Sequence, residues 1–342
     1  MWPLLRVSLA LLALQCVDQN STVKLLMNMK ILAEVGCCSS CNCQLEKHYT
    51  NGNYKYFHCR PCNTKSSILK NTVLSKSNTK LRVFVFLMYM FTQNHRTYET
   101  VQTECCIPIT GYKDTAVSSE TINKWFSFFR YLCVQDAKKN VAKIGGQGHI
   151  VEMDESMCGK LKYGKGDGRK RRRQWIFGGL DRTTGLCFMR ICPDNKRTKK
   201  ALWPIIQAHV YPGTTLHTDV WKAYRRLPTI GYHHRWLDRS KHYVDPNDPT
   251  LHTNGIEGLW GTFKRWLPQQ GRYNLEEYMW LYVWEQNKRL SGEDQFTALV
   301  KLVLENNSSE LLEQVNGTNR IQMQIQMQPL LVMKKTRTTR RK

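Results

Sequence analysis

Three stretches decide the fold: His149–Ser156 (HIVEMDES), Gln174–Leu180 (QWIFGGL) and Leu186–Cys192 (LCFMRIC). Each is a short apolar run bounded by polar or turn-forming residues. The turn-rich Asp181–Gly185 (DRTTG) joins the second to the third, so the spacing predicts three strands with a hairpin. Working outward, Lys199–Val210 (KKALWPIIQAHV) has helical spacing and Thr214–Asp219 (TTLHTD) is a short strand ending in an acid. Trp221–Leu227 (WKAYRRL) reads as a helical turn or two, and His233–Ser240 (HHRWLDRS) as a further strand. Asn254–Leu267 (NGIEGLWGTFKRWL) reads as an amphipathic helix. The order is three strands, helix, strand, helix, strand, helix. It predicts an α/β domain over 147–290 with its first three strands antiparallel.

That element order is the one expected of an RNase H-like fold, and three acids stand at telling places in it. Asp154 is read at the end of the first strand, Asp219 ends TTLHTD, and Glu257 lies in the first turns of NGIEGLWGTFK. In an open α/β sheet, groups at strand ends and adjoining helices converge at one edge. Carboxylates gathered there repel unless cations are bound, which implies Mg²⁺ or Mn²⁺. Two such ions about 4 Å apart activate a water or 3′-hydroxyl and stabilise the leaving oxygen of a phosphodiester. The alternation of a strand sends Asp154 and Glu155 to opposite faces, and the residues alone do not choose between them. Lys264 follows Glu257 by two helical turns and shares its face, where an ammonium suits DNA phosphate; its plainer reading is an exposed helical lysine.

Charge points to the same partner. Lys and Arg number 51 against 27 acidic residues in 342, a formal net charge of +24, which calls for a polyanion such as nucleic acid. Just after the first acid, Lys160, Lys162, Lys165, Arg169, Lys170, Arg171, Arg172 and Arg173 stand in a run broken by Gly164, Gly166 and Gly168. Glycines and cations together make a candidate phosphate clamp, set against the plainer reading of a solvated charge run. Trp221, Trp260 and Trp266 could stack on bases, although tryptophans at such spacing are more often core.

Upstream, residues 37–66 form a cysteine-rich module within a chain of 13 cysteines. Cys38-x-x-Cys41 and Cys59-x-x-Cys62 are separated by seventeen residues that include the strand-like YKYF, the pattern of a structural zinc ribbon. Cys37 and Cys43 crowd the first pair and His48 and His58 are nearby, so the ligand register stays open. Residues 78–134 read as three helices, a helix-turn-helix-like or plain helical region; the helix over Thr121–Cys133 is a candidate for DNA recognition, although Trp125, Phe126 and Phe129 look like packing residues. Residues 1–36 carry no readable chemistry. Their apolar start resembles a secretory signal, but its one cation, Arg6, sits inside the run, and the expectation is a short helix in a protein that is not secreted. Residues 291–342 fade into IQMQIQMQ and end in KKTRTTRRK, with six basic residues in the last nine.

The blocks VEMDES, KYGKG, QWIFGGLDR, HTDVWKAY, HYVDP and HTNGIEGLWGTFK together resemble the catalytic domain of Merlin-type transposases over about residues 148–290. The resemblance implies that Asp154, Asp219 and Glu257 are the catalytic acids of a DDE set holding Mg²⁺, with Lys264 the lysine that follows. It also implies an N-terminal zinc ribbon, here Cys38, Cys41, Cys59 and Cys62 holding Zn²⁺, and cut-and-paste transposition on double-stranded DNA. Joining two ends implies a homo-oligomer, at least a dimer. The place of action is the nucleus if the source is eukaryotic, or the cytoplasm and nucleoid if bacterial. Two other readings stand beside this one: a domesticated DNA-binding protein that kept the fold without the reaction, and another RNase H-like nuclease such as a junction resolvase.

Overall fold

The computed structural model describes residues 8–46, 48–51, 54–94, 97–105, 117–158, 173–268 and 274–317. The basic-run residues Lys160, Lys162, Lys165, Arg169, Lys170, Arg171 and Arg172 lie outside the described residues, as does the tail at 334–342. In chain order the helices are α1 (Leu9–Gln15), α2 (Gln19–Asn28), α3 (Leu81–Thr92), α4 (Tyr98–Cys105), α5 (Ser119–Lys139), α6 (Lys199–His209), α7 (Asn254–Trp266), α8 (Leu275–Leu290) and α9 (Gln295–Glu305). The strands are β1 (Gly36–Cys37), β2 (Gln44–Leu45), β3 (His48–Asn51), β4 (Tyr54–Cys59), β5 (Thr64–Ser67), β6 (Ile150–Cys158), β7 (Gln174–Asp181), β8 (Cys187–Ile191), β9 (Thr215–Asp219) and β10 (His233–Leu237). Two compact units result, one of residues 1–132 with 294–342 and one of residues 133–293.

In the first unit, β3, β4 and β5 form an antiparallel sheet and β1 pairs with β2. The apolar beginning of the chain folds as α1, whose N-cap Ser8 accepts the Leu11 N–H, and Leu12 and Cys16 are buried. No helix among the described residues is long and apolar enough to cross a membrane. Helix α3 is buried nearly all round. Phe84 on α3 meets Trp125 on α5 edge-on at 4.7 Å between centroids, and Phe91 meets Phe126 at 5.4 Å. Trp125 donates its indole N–H to the Thr79 hydroxyl at 2.8 Å. The aromatic face of Thr121–Cys133 is therefore spent on packing.

The second unit is a mixed α/β domain around a five-stranded sheet, ordered β10-β9-β6-β7-β8. β6, β7 and β8 are antiparallel neighbours, whereas β9 runs parallel to both β6 and β10. An all-round apolar β7 suits its place inside the sheet, covered on both faces. One face packs Val151, Met153, Phe177 and Leu216 against Leu202 and Ile206 of α6 and against Tyr224. The other packs Ile176, Cys187 and Met189 against Ile256, Trp260 and Phe263 of α7 and Met279 and Tyr282 of α8. Two expectations are corrected here. β6 runs on to Cys158, so Asp154 is interior to the strand; and residues 221–226 make turns before a short 3-10 segment, Leu227–Ile230, in place of a helix.

Adjacent glycines on β7 explain how α7 comes close. A Cβ at Gly178 would lie 2.7 Å from the Trp260 ring, and one at Gly179 would lie 2.5 Å from the Phe188 ring. Trp260 therefore rests on backbone, against the strand partner of Asp154, since Asp154 pairs with Gly178.

The N-terminus of α7 is fixed by a buried acid that sequence reading passed over. Thr253 occupies the N-cap without a side-chain cap bond. Glu152 of β6, 1% exposed, accepts the Ile256 N–H at 2.9 Å in its place. Arg182 pairs with the same carboxylate through Nε, and its terminal nitrogens donate to the carbonyls of Thr250 and His252. Gly255 keeps this contact uncrowded, because a Cβ would sit 3.0 Å from the Glu152 Oε2 and 3.0 Å from the Leu180 Cδ2. Replacing Arg182 by Met leaves a buried carboxylate without its cation. Urea unfolding of the variant should show a loss of about 3–5 kcal/mol; a loss under about 1 kcal/mol, the range of an exposed pair, would contradict this role.

Candidate metal centre and cysteine cluster

β6 leaves its ladder with β9 after Glu152 pairs His217, two residues before Asp154 and Asp219 would come level. The strands part at that point while β6 stays paired to β7 as far as Cys158. The side chains at the parting come together: carboxylate oxygens of Asp154, Glu155 and Asp219 all lie within 4.8 Å of one another. Asp154 reaches from the Trp260 face and Glu155 from the Tyr224 face, so the alternation that left the choice between them open resolves into both. The Trp221 backbone N–H donates to Asp219 Oδ1 at 2.9 Å and fixes the turn after β9.

This cluster is crowded and largely dry. Glu155 is 7% exposed, and its Oε1 has no hydrogen-bond partner among the described residues. Burial first, and then the Asp219 charge, push the Asp154 carboxyl up to about 6, with Arg239 and the Trp260 indole opposing. Burial likewise pushes Glu155 up to about 7, aided by Asp219 and Asp154 and opposed by the Tyr224 hydroxyl and Arg197. The same acids, on top of burial, raise Tyr224 well above its ordinary value. An unpartnered buried carboxylate oxygen beside two further carboxylates is a donor set that suits a hard divalent cation.

Glu257 stands outside that set. It pairs with Arg239 and accepts weakly from the Thr253 hydroxyl at 3.4 Å. Lys264, two turns along α7, donates to the Ser156 hydroxyl at 2.6 Å and so lies beside β6, two residues past Asp154. Of the tryptophans, Trp260 is core, Trp266 packs on Phe263 and Tyr282, and Trp221 is half-buried next to Asp219. Arg173, the one described member of the basic run, is exposed, and its carbonyl accepts from Asn195 at 2.8 Å.

Residues 145–289 match the ISXO2-like transposase domain. The match spans less than half of the 342-residue chain and takes in every element of the five-stranded sheet. It supports a transposase of the DDE class found in insertion sequences. In this ISXO2-like segment, the acid trio and the Glu152–Arg182 network fall inside the matched residues. A comparison with curated proteins finds no match.

A second cluster lies in the other unit. Sulfurs of Cys38, Cys41, Cys43 and Cys59 lie within 4.8 Å of one another. Cys43 thus joins three of the four expected ligands. Cys62 is close as well, because Cys41 and Cys59 beside it push its thiol up to about 12. Cys43 is pushed up to about 12 by the same two neighbours. Cys38 is held down to about 5 by the Thr64 hydroxyl and by the N–H groups of Cys41 and Ser40. Neighbouring thiols cannot all ionise without a cation, and such a sulfur set suits Zn²⁺. Cys37 is exposed and outside the cluster.

The carboxyl shifts fix a pH signature for the first cluster. Both groups hold protons more tightly in the folded chain than in the unfolded one, where carboxyls titrate near pH ~4. Their repulsion is therefore absent below that pH, grows as pH rises through about 6 and about 7, and is complete above. Mg²⁺ should stabilise the fold at pH 8 by about 2.7 kcal/mol at a hundredfold excess over Kd, read as a rise in melting temperature, and hardly at all at pH 5. An equal response at both pH values, or a response kept by Asp154→Asn with Asp219→Asn, would count against the site.

Proposed function

We propose that the protein is a Merlin-type DNA transposase that cuts DNA at the ends of a mobile element and joins them to a target. The reading is carried by the meeting of Asp154, Glu155 and Asp219 around an unpartnered buried carboxylate oxygen, in a segment similar to the ISXO2-like transposase domain. Asp154 and Asp219 would hold the catalytic Mg²⁺ or Mn²⁺, with Glu155 beside them, and Glu257 is the further acid that α7 brings. Bound there, divalent cations supply Lewis-acid activation of the attacking oxygen and stabilise the leaving one.

The chain's own groups account for the rest. Arg239 keeps Glu257 neutralised and in place at the first turn of α7. Lys264, tethered to Ser156, offers an ammonium on the same strand face as Asp154, where a DNA phosphate approaching the acids needs a counter-charge. Trp260 and Tyr224 close the two faces of the sheet around the acids and exclude water, which strengthens each charge interaction inside. The cations at 160–173 and 334–342 would hold DNA backbone, and the cysteine module, folded on Zn²⁺, would present the first unit to the element's terminal repeats. Because two ends must be joined, the working form is at least a dimer, acting in the nucleus if the source is eukaryotic or in the cytoplasm and nucleoid if it is bacterial.

The decisive assay is Mg²⁺-dependent cleavage of DNA carrying the element's own ends, with wild type and Asp219→Ala compared. Wild type should nick at the ends while the variant falls to background with its DNA binding kept. Tight binding without cleavage by either protein would instead identify a DNA-binding relic.

A further inference from the structure

One cation close to the acid cluster is held in an unusual way. The Arg197 guanidinium lies 3.9 Å from the ring centroid of Trp175 and 4.5 Å from that of Trp221. Two indole rings thus lie within cation–π range of one guanidinium, an arrangement that favours a cation stripped of part of its water. Among the described residues its side chain makes no hydrogen bond and no ion pair, and it is only half-buried. The N–H donors around its edge are what remains to offer a partner.

The position is built from several directions. Trp221 donates its indole N–H to the Arg197 carbonyl at 2.7 Å, and its own backbone N–H holds Asp219. The Trp175 backbone N–H donates to Asn195 Oδ1 at 2.6 Å. Asn195 in turn donates to the Arg173 carbonyl, which brings the end of the basic run to the same loop. Helix α6 starts directly after, at Thr198, with no side-chain cap and with Lys199 and Lys200 in its first turn. An uncapped helix N-terminus adds free N–H groups and a positive partial charge. The charge on Arg197 is felt at Glu155, which it pulls down against the effect of burial.

We propose that Arg197, held against Trp175 and Trp221, is a phosphate-binding site for the DNA strand that enters the carboxylate cluster. The two indoles hold the guanidinium in place, and a phosphodiester is the group whose paired oxygens match its edge. Trp221, two residues after Asp219, bonds both Asp219 and the Arg197 carbonyl, so the bound phosphate neighbours the one to be cut. The assignment rests on the DNA-cutting reading for its choice of ligand, yet binding can be measured without any chemistry.

The test is fluorescence anisotropy of the full chain on a short labelled DNA duplex in Ca²⁺, repeated from 50 to 200 mM salt, with wild type, Arg197→Ala and Arg197→Lys (a range over which phosphate contacts weaken roughly in proportion to their number). Arg197→Ala should bind about tenfold or more weakly, with a salt slope smaller by about 0.9, the loss of one phosphate contact. Arg197→Lys keeps the charge and the slope but loses the two-pronged geometry, so it should bind at an affinity between the other two. Should Arg197→Ala fail to fold, the lysine variant alone decides, since wild-type affinity there overturns the clamp. Wild-type affinity and slope in both variants, with only a lower melting temperature, would make the stack a structural staple and overturn the proposal, as would a wild type that does not bind DNA. Weaker binding and a smaller slope in Arg197→Ala, beside a wild type that binds but does not cut in Mg²⁺, would uphold the clamp and sink the nuclease reading instead.

Discussion

The carboxylate of Glu152 is the point on which the domain's geometry turns. It is taken out of water inside β6, where an unpaired charge is expensive to bury. Three kinds of partner meet that demand: the Ile256 N–H at the start of α7, the Arg182 guanidinium after β7, and His252 at 3.4 Å in the loop before α7. One buried charge therefore fixes a strand, a hairpin and a helix relative to one another. Two residues on, the same strand carries Asp154, and one residue past Ile256 the same helix carries Glu257. A buried pair of this kind is weak evidence for added stability, but it discriminates strongly against any register that leaves the acid unpaired.

From that anchor the site follows by backbone geometry. Gly255 and Gly178 remove the side chains that would keep α7 away from the sheet, and Trp260 fills the space against the strand partner of Asp154. The end of the β6–β9 ladder opens the gap where Asp154, Glu155 and Asp219 meet. Their mutual repulsion under low solvent exposure is the reverse of the Glu152 arrangement. There the protein supplies the partners; here it leaves an oxygen of Glu155 without one. The two buried acids, three residues apart on one strand, are thus treated in opposite ways.

Much of this was legible in the sequence, and what was missed has physical reasons. The short apolar runs and the DRTTG turn marked β6, β7 and β8, and TTLHTD marked β9 with Asp219 at its end. WKAYRRL read as helical because Trp221, Ala223, Tyr224 and Leu227 have apolar spacing, yet Ala223, Tyr224 and Leu227 serve the core from turns. The choice between Asp154 and Glu155 could not be made by alternation, since it assumes that a site lies on one face, and this one sits at a strand edge that both faces reach. Glu152 was silent because its partners, the Ile256 backbone and Arg182, are 104 and 30 residues away. Cys43 had the right chemistry beside the first CxxC but the wrong spacing to be preferred, and Arg197 looked like one cation among 51.

Whether the parting of β6 and β9 gathers carboxylates for a divalent cation is tested by anomalous diffraction from crystals of the full chain soaked in Mn²⁺. A peak is expected within about 2.0–2.3 Å of oxygens from both Asp154 and Asp219, with Glu155 beside it. A peak elsewhere, or an ordered Asp154 and Asp219 with no peak between them at saturating Mn²⁺, would contradict it.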